Sequence, residues 1–294
     1  MNKLYHSPVD SKEDVKQNKF PFHGIIGIIL IAVFWYLNWG LKGLRTDWAF
    51  FPLWLGYCLT VDALTFRKKG DSLLKRNGLN YFLLFVFSIA VWWLFELFNL
   101  RMQNWDYVGK EYFTDLQFFI LASISFAVVI PAVFGTAEFV RSFLRSDKRE
   151  IKYQPKDSTV KLIFSLGIIF LIAILIFPEY FYYLIWISVF FILDPINIWL
   201  GNKNLLIYFT SKNFIPVKAL SFGCLICGFF WEMWNYFSYP KWIYHLPFFN
   251  FLHVFEMPLL GYIGYIPFSF ELFAIYQLLT GIFDKQFDGY LKID

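Results

Sequence analysis

Apolar residues gather along this chain in eight long runs separated by charged or turn-forming stretches. About twenty apolar residues cross the hydrocarbon of a bilayer. On that measure the pattern predicts helices over residues 22–39, 48–64, 79–98, 116–143, 160–177, 181–200, 217–237 and 248–283. The fourth and the last are too long for one straight crossing. Pro131 in the fourth, and Gly261, Gly264 and Pro267 in the last, are expected to bend or break them.

The polar positions orient these helices. Lys12, Lys16 and Lys19 precede the first helix, Arg67, Lys68, Lys69, Lys75 and Arg76 follow the second, Arg141, Arg145, Lys148, Arg149, Lys152 and Lys156 follow the fourth, and Lys203 and Lys212 follow the sixth. The alternate loops hold only Lys42, Arg45, Arg101, Lys110 and Lys241. The positive-inside rule then places both termini in the cytoplasm, which requires an even number of crossings. The first twenty residues are polar and of mixed charge, with no cleavable signal, so residues 1–21 are expected to form a cytoplasmic tail.

The segment 147–159 is the longest polar linker, and it divides the chain into residues 22–146 and 160–285, followed by a tail at 286–294. The two halves echo each other. Trp54 and Asp62 correspond to Trp186 and Asp194, Glu96 and Asn99 to Glu232 and Asn235, Trp105 and Tyr107 to Trp242 and Tyr244, and Pro131 to Pro267, at offsets of 132 to 137 residues. The order of unlike residues predicts a tandem duplication. With four crossings in each half, the copies insert in the same orientation. The expected fold is an all-α polytopic membrane protein of about eight transmembrane helices in two parallel four-helix repeats.

Composition agrees: 58% of the 294 residues are hydrophobic, only 16% are charged, and Phe alone contributes 39. That is more apolar surface than one soluble core can hide. The net charge of +4 falls mostly in short loops, where it sets orientation, so no nucleic-acid partner is expected. Cys58, Cys224 and Cys227 lie inside apolar runs and form no disulfide framework. Cys224 and Cys227, flanked by Gly223 and Gly228, read as small residues that let helices approach. His6, His23, His245 and His253 are the whole histidine supply, and neither a metal nor another cofactor is expected.

Chemistry is concentrated in residues 231–281, where an aromatic-rich run carries Glu232, Asn235, His253, Glu256 and Glu271. Glu96 with Asn99, and Glu232 with Asn235, are three residues apart and share a helix face. An ionisable group within the hydrocarbon costs a few kcal/mol, so it should face the bundle interior or a wet cavity. Glu96, Asn99, Glu232, Asn235, His253 and Glu256 are expected to cluster near the outer face, with His253 and Glu256 beginning the last helix. Glu271 should lie deeper. A carboxyl group desolvated among Trp231, Trp242, Tyr244, Trp105 and Tyr107 could act as a general acid. Asp62 and Asp194, at the opposite ends of their helices, suit either helix capping or a polar path to the cytoplasm.

The order W-E-M-W-N from Trp231, W-I-Y from Trp242, G-Y-I-G-Y-I-P from Gly261, then Glu271 and Q-L-L-T-G from Gln277 resembles the lycopene cyclase domain of carotenoid biosynthesis. The resemblance covers about fifty residues well and about as many weakly around Glu96 to Glu138. It implies an integral membrane enzyme doing non-redox chemistry, in which a carboxylic acid protonates a polyene end and a base removes a proton. By position, Glu232 and Asn235 match the family's acidic residue and asparagine, and Glu271 its glutamates after the proline. The family has two adjacent glutamates there; this chain has Phe268, Ser269 and Phe270 before a single Glu271.

The expected function is therefore a plasma-membrane enzyme (inner membrane, with both termini cytoplasmic). It would cyclise, hydrate or isomerise a long isoprenoid or carotenoid-like substrate drawn from the membrane lipid. The alternative is a non-enzymatic membrane carrier or structural protein that uses the repeated Asp and Glu as a polar path.

Overall fold

The computed structural model describes residues 18–145, 154–283 and 289–294. The expected tail up to residue 17 and linker residues 146–153 lie outside the described residues. Eight helical stretches are long and apolar enough to cross a membrane: Phe22–Gly40, Thr46–Lys69, Gly78–Met102, Asp115–Arg141, Asp157–Ile176, Pro178–Leu200, Ile215–Tyr236 and Leu259–Ile282. The protein is a multi-pass, all-α membrane protein.

The helices are α1 (Phe22–Gly40), α2 (Thr46–Lys69), the single turn α3 (Leu73–Arg76), α4 (Gly78–Met102), α5 (Asp115–Phe126), α6 (Val129–Arg141), α7 (Asp157–Ile176), the short α8 (Pro178–Phe181), α9 (Ile185–Leu200), the short α10 (Leu206–Thr210), α11 (Ile215–Tyr236) and α12 (Tyr265–Phe283). The bundle centre is built from α2, α6, α9, α11 and α12, with α1 packed outside α2 and α7 outside α9. On these two outer helices Ile25, Ile29, Ile169 and Ile172 are exposed, an apolar face suited to lipid tails. Gly27 and Gly56 bring α1 against α2: a Cβ on Gly27 would lie 2.7 Å from the Gly56 carbonyl oxygen, and one on Gly56 would lie 2.8 Å from that of Gly27. Gly223 does the same between α11 and α6, where its Cβ would meet the Ala137 backbone at 2.7 Å.

The fourth crossing breaks between α5 and α6. Pro131 has no N–H, and its ring collides with the carbonyl four residues earlier in a continuous helix. Ser88 of α4 bridges the break: its Oγ donates to the Phe126 carbonyl at 2.5 Å and accepts from Ile130 N–H at 3.1 Å.

The last crossing is shorter than expected. Residues 248–258 are loop and a small hairpin of β3 (His253–Val254) with β4 (Met257–Pro258), and a tight turn Leu259–Gly264 leads into α12. Phe249, Leu252 and Phe255 have φ of 63°, 52° and 59°, a left-handed conformation that no right-handed helix accommodates. His253 and Glu256 therefore do not begin a helix. Hydropathy measures apolar length, and this loop is apolar without being helical.

A second departure is a ribbon. Strand β1 (Trp105–Val108), after α4, pairs antiparallel with β2 (Lys241–Tyr244), after α11, placing Trp105 opposite Tyr244 and Tyr107 opposite Trp242.

A third is the end of the chain. In the segment expected as a tail, Tyr290, Leu291 and Ile293 are buried. Glu138, 1% exposed, takes two hydrogen bonds from Arg76 (2.9 and 3.1 Å) and one from Lys292 N–H at 2.8 Å. Arg76 also donates to the Tyr290 carbonyl, and Tyr290 OH to the Leu73 carbonyl at 2.9 Å. The C-terminal residues thus satisfy a buried carboxylate that α6 alone would leave short of donors.

Candidate functional site

The ribbon is held by the two asparagines. Asn99 Nδ2 donates to the Trp105 carbonyl at 2.8 Å, and its Oδ1 accepts from the Asn104 and Trp105 N–H groups. Asn235 Nδ2 donates to the Trp242 carbonyl at 2.7 Å, and its Oδ1 accepts from Trp242 N–H at 3.0 Å. A side-chain amide can donate and accept at once, so each asparagine pins both main-chain groups of a strand tryptophan. With both ends of each amide engaged, neither Asn99 nor Asn235 is placed as a reacting group, and neither lines the cavity described below.

Pinned this way, the strands aim their side chains at the glutamates one turn back on each helix. Glu96 Oε1 accepts from Trp92 Nε1 (3.0 Å), Trp105 Nε1 (3.0 Å) and Tyr107 OH (2.6 Å). Glu232 Oε1 accepts from Tyr244 OH (2.7 Å) and Tyr265 OH (2.6 Å), while Trp242 Nε1 donates to Tyr244 OH at 2.9 Å. Burial and the adjacent carboxylate both push the hydroxyls of Tyr107 and Tyr244 well above the ordinary phenol range, so each keeps its proton and acts as a donor.

The glutamates differ in what remains. Glu232 is fully buried, and its Oε2 has no hydrogen-bond partner among the described residues. Glu232 lines a cavity of about 520 Å³, within the roughly 300–1,000 Å³ typical of small-molecule pockets. Its walls are aromatic, including Trp92, Trp105, Trp186, Trp231, Trp242 and Phe268. Glu96 is half-buried and stands behind Trp92, Trp105 and Tyr107, which do line the cavity.

The structure brings together Glu232, Trp231, Trp242, Tyr244, Trp105 and Tyr107 around this space, and leaves other expected members outside it. Glu256 is ion-paired with Lys241 at the ribbon. His253 is exposed and hydrogen-bonds Asn250 at 2.8 Å. Both follow the loop rather than a helix, which removes them from the cavity wall. Glu271 is fully buried between α12 and α9, where its Oε1 accepts Val189 N–H at 3.1 Å; it does not line the cavity.

At the other end of the bundle, Asp62 accepts from Leu74 N–H (2.9 Å) and Ser72 Oγ (2.8 Å), and His23 stands 3.0 Å away. Asp194 accepts from Leu205 and Leu206 N–H at 2.9 Å each. Each aspartate therefore receives backbone donors at the start of the following short helix, α3 or α10, and so caps a helix other than its own.

Tyr265, Trp186 and Gly228 stand in the sequence only as part of a motif, a repeat and a close helix approach, and nothing there marks them as members of the site. Trp92, four residues before Glu96, could have been found from helical spacing. Gly228 lies one turn before Glu232, and a Cβ there would overlap the Tyr265 ring. Its bare backbone is what lets Tyr265 lie against α11 and reach Glu232.

Fold and site together define a polytopic helical membrane protein with a buried carboxyl group facing an aromatic cavity. No protein-family model, curated protein or solved structure matches the chain. Among the described residues no group of three or more His, Cys, Asp or Glu is placed to hold a metal ion.

Proposed function

We propose that the protein is a membrane enzyme performing non-redox acid–base chemistry on a long, apolar, unsaturated substrate, with Glu232 as proton donor. The observation that carries this reading is the asymmetry of the Glu232 carboxyl. One oxygen is fixed by two tyrosines, and the other, beside an aromatic cavity, has no partner among the described residues. A general acid has to be positioned, dry and open on the side from which substrate arrives. Protonating a carbon–carbon double bond generates a carbocation, which the faces of Trp105, Trp186, Trp231 and Trp242 would stabilise. Loss of a proton elsewhere closes the sequence with no change of oxidation state, and capture of water instead gives hydration.

The resemblance to lycopene cyclase domains points to an acyclic isoprenoid as the first substrate to try. Expression in cells that accumulate lycopene, followed by pigment analysis, tests it. Conversion by the wild type, lost in Glu232→Gln, is expected. An unchanged pigment profile removes the carotenoid substrate.

The same reading includes tandem duplication. Several pairs of features support it: the two Asn-pinned W-x-Y strands that pair antiparallel, the two aspartates that cap α3 and α10, and the tight glycine crossings of α1 on α2 and α7 on α9. In this reading a pseudo-twofold axis along the membrane normal would pass through the ribbon, and the loop charges support an orientation with the ribbon at the outer face and both termini cytoplasmic. Only one of the two glutamates, Glu232, then fronts the cavity.

A further inference from the structure

One side of the lining of the cavity beside Glu232 is both apolar and exposed, while the exposed Lys110 lines another side. Four residues that line the cavity, Tyr183, Phe249, Leu260 and Ile263, are also exposed on the outside of the protein, Ile263 at 59%. They come from the beginnings of the sixth and eighth crossings and from the loop that precedes the eighth. Tyr183 lies in the tight turn Tyr182–Leu184 that leads into α9, and Leu260 and Ile263 lie in the turn Leu259–Gly264 that leads into α12. Tyr182 OH donates to the Phe248 carbonyl at 2.9 Å and ties the loop to the first of these turns. Helix α7 packs on the same turn, with Ile172 and Ile176 facing outward. The rim is therefore continuous with the apolar outer face of a spanning helix.

In water, such a rim would leave several large apolar side chains hydrated, which is unfavourable in proportion to the apolar area exposed. Lipid chains remove that penalty. A rim of Tyr, Phe, Leu and Ile at the start of two spanning segments fits a hydrocarbon chain, and one phenol is the only polar side chain among those four.

We propose that the cavity is loaded sideways from the bilayer. The hydrocarbon chain of a membrane lipid passes between Tyr183 and Ile263, lies against Trp186 and Phe268, and reaches Glu232 without crossing water. The inference rests on the cavity being a ligand site and on no chemical step at Glu232.

The full chain, reconstituted in phosphatidylcholine vesicles containing a phosphatidylcholine with a diazirine in its acyl chain, is irradiated and the adducts are mapped by peptide mass spectrometry. Adducts are expected on Trp186 and Phe268 as well as on the outward Ile25 and Ile172. Ile263→Arg, at an exposed position, should reduce the Trp186 and Phe268 adducts by about tenfold or more, the scale of a charge placed in hydrocarbon, while leaving Ile25 and Ile172 unchanged. Ile263→Leu should leave all four unchanged. Adducts confined to the outward residues, cavity adducts unaffected by Ile263→Arg, or stronger cavity labelling by a water-soluble diazirine would each overturn the proposal. Labelling needs no turnover, so Glu232→Gln should retain it. Sideways loading and proton donation can therefore fail independently.

Discussion

Trp105 faces Tyr244 across the ribbon, and each delivers its side-chain donor to a different helix, Trp105 to Glu96 on α4 and Tyr244 to Glu232 on α11. The ribbon thus couples the two glutamates through paired residues more than 130 positions apart in the chain. A hydrogen bond to a neutral carboxyl contributes about 0.5–1.5 kcal/mol, and one to the carboxylate left after proton transfer about 1.5–3 kcal/mol. Tyr244→Phe is expected to leave the fold intact and reduce turnover by about tenfold or more, because it loosens the carboxyl that fronts the cavity. Tyr107→Phe is expected to lower the melting temperature with less effect on turnover, because Glu96 retains two indole donors. Equal losses of turnover in the two variants would contradict the asymmetry between the glutamates.

Gly228→Ala offers a sharper test of the same site. The added methyl must push the Tyr265 ring away from α11, and overpacking of this kind costs about 1–3 kcal/mol. The Tyr265 hydrogen bond to Glu232 should be lost, so the double variant Gly228→Ala with Tyr265→Phe should be no less active than Gly228→Ala alone. Additive losses would show that Gly228 acts elsewhere.

The asparagines are predicted to hold strands. In Asn235→Ala the Trp242 amide loses its acceptor, and its protection from hydrogen exchange should fall by about tenfold for about 1–1.5 kcal/mol. Asn99→Ala should do the same at Trp105. Unchanged protection at both amides would mean that the ribbon stands without them.

The chain terminus makes stability depend on pH at the end of the bundle away from the ribbon. Burial pushes the Asp71 carboxyl up, but hydrogen bonds from Arg76 (2.8 Å) and Lys292 (2.9 Å) outweigh it and hold the group below the usual carboxylate range. A carboxyl whose folded pKa is lowered contributes fully above its unfolded value of about 3.9, and the contribution disappears as pH falls through the folded value. Asp71→Asn should therefore melt below wild type at pH 7, with the difference closing below about pH 4. A difference that persists unchanged into acid would exclude ionised Asp71 as its source.

The crossings were legible because apolar length is a local property, and so were Glu96 and Glu232, because ionisable groups stand out in such runs. Asp62 and Asp194 read equally as a polar path, and their bonds to the N–H groups of Leu74, Leu205 and Leu206 depend on turns the sequence does not mark. The ribbon was not legible: four-residue strands between crossings carry almost no periodicity, and their partners are distant in sequence. The loop at 248–258 was misread as helix because Phe249, Leu252 and Phe255 are apolar yet adopt positive φ. That error carried His253 and Glu256 into the expected site. Tyr265 was overlooked because its role depends on the space left by Gly228, and the docking of Tyr290 and Leu291 depends on a groove assembled from α3 and α6.

The central claim, proton donation by Glu232 to an apolar unsaturated substrate, is tested most directly by incorporation of solvent hydrogen. The reconstituted full chain is incubated in deuterated water with acyclic polyene isoprenoids, lycopene first, and the recovered lipids are analysed by mass spectrometry. The account predicts a product isomeric with the substrate that carries a single deuterium, formed by the wild type and absent with Glu232→Gln. Incorporation that persists undiminished in Glu232→Gln, or no incorporation by the wild type into any polyene offered, would contradict it.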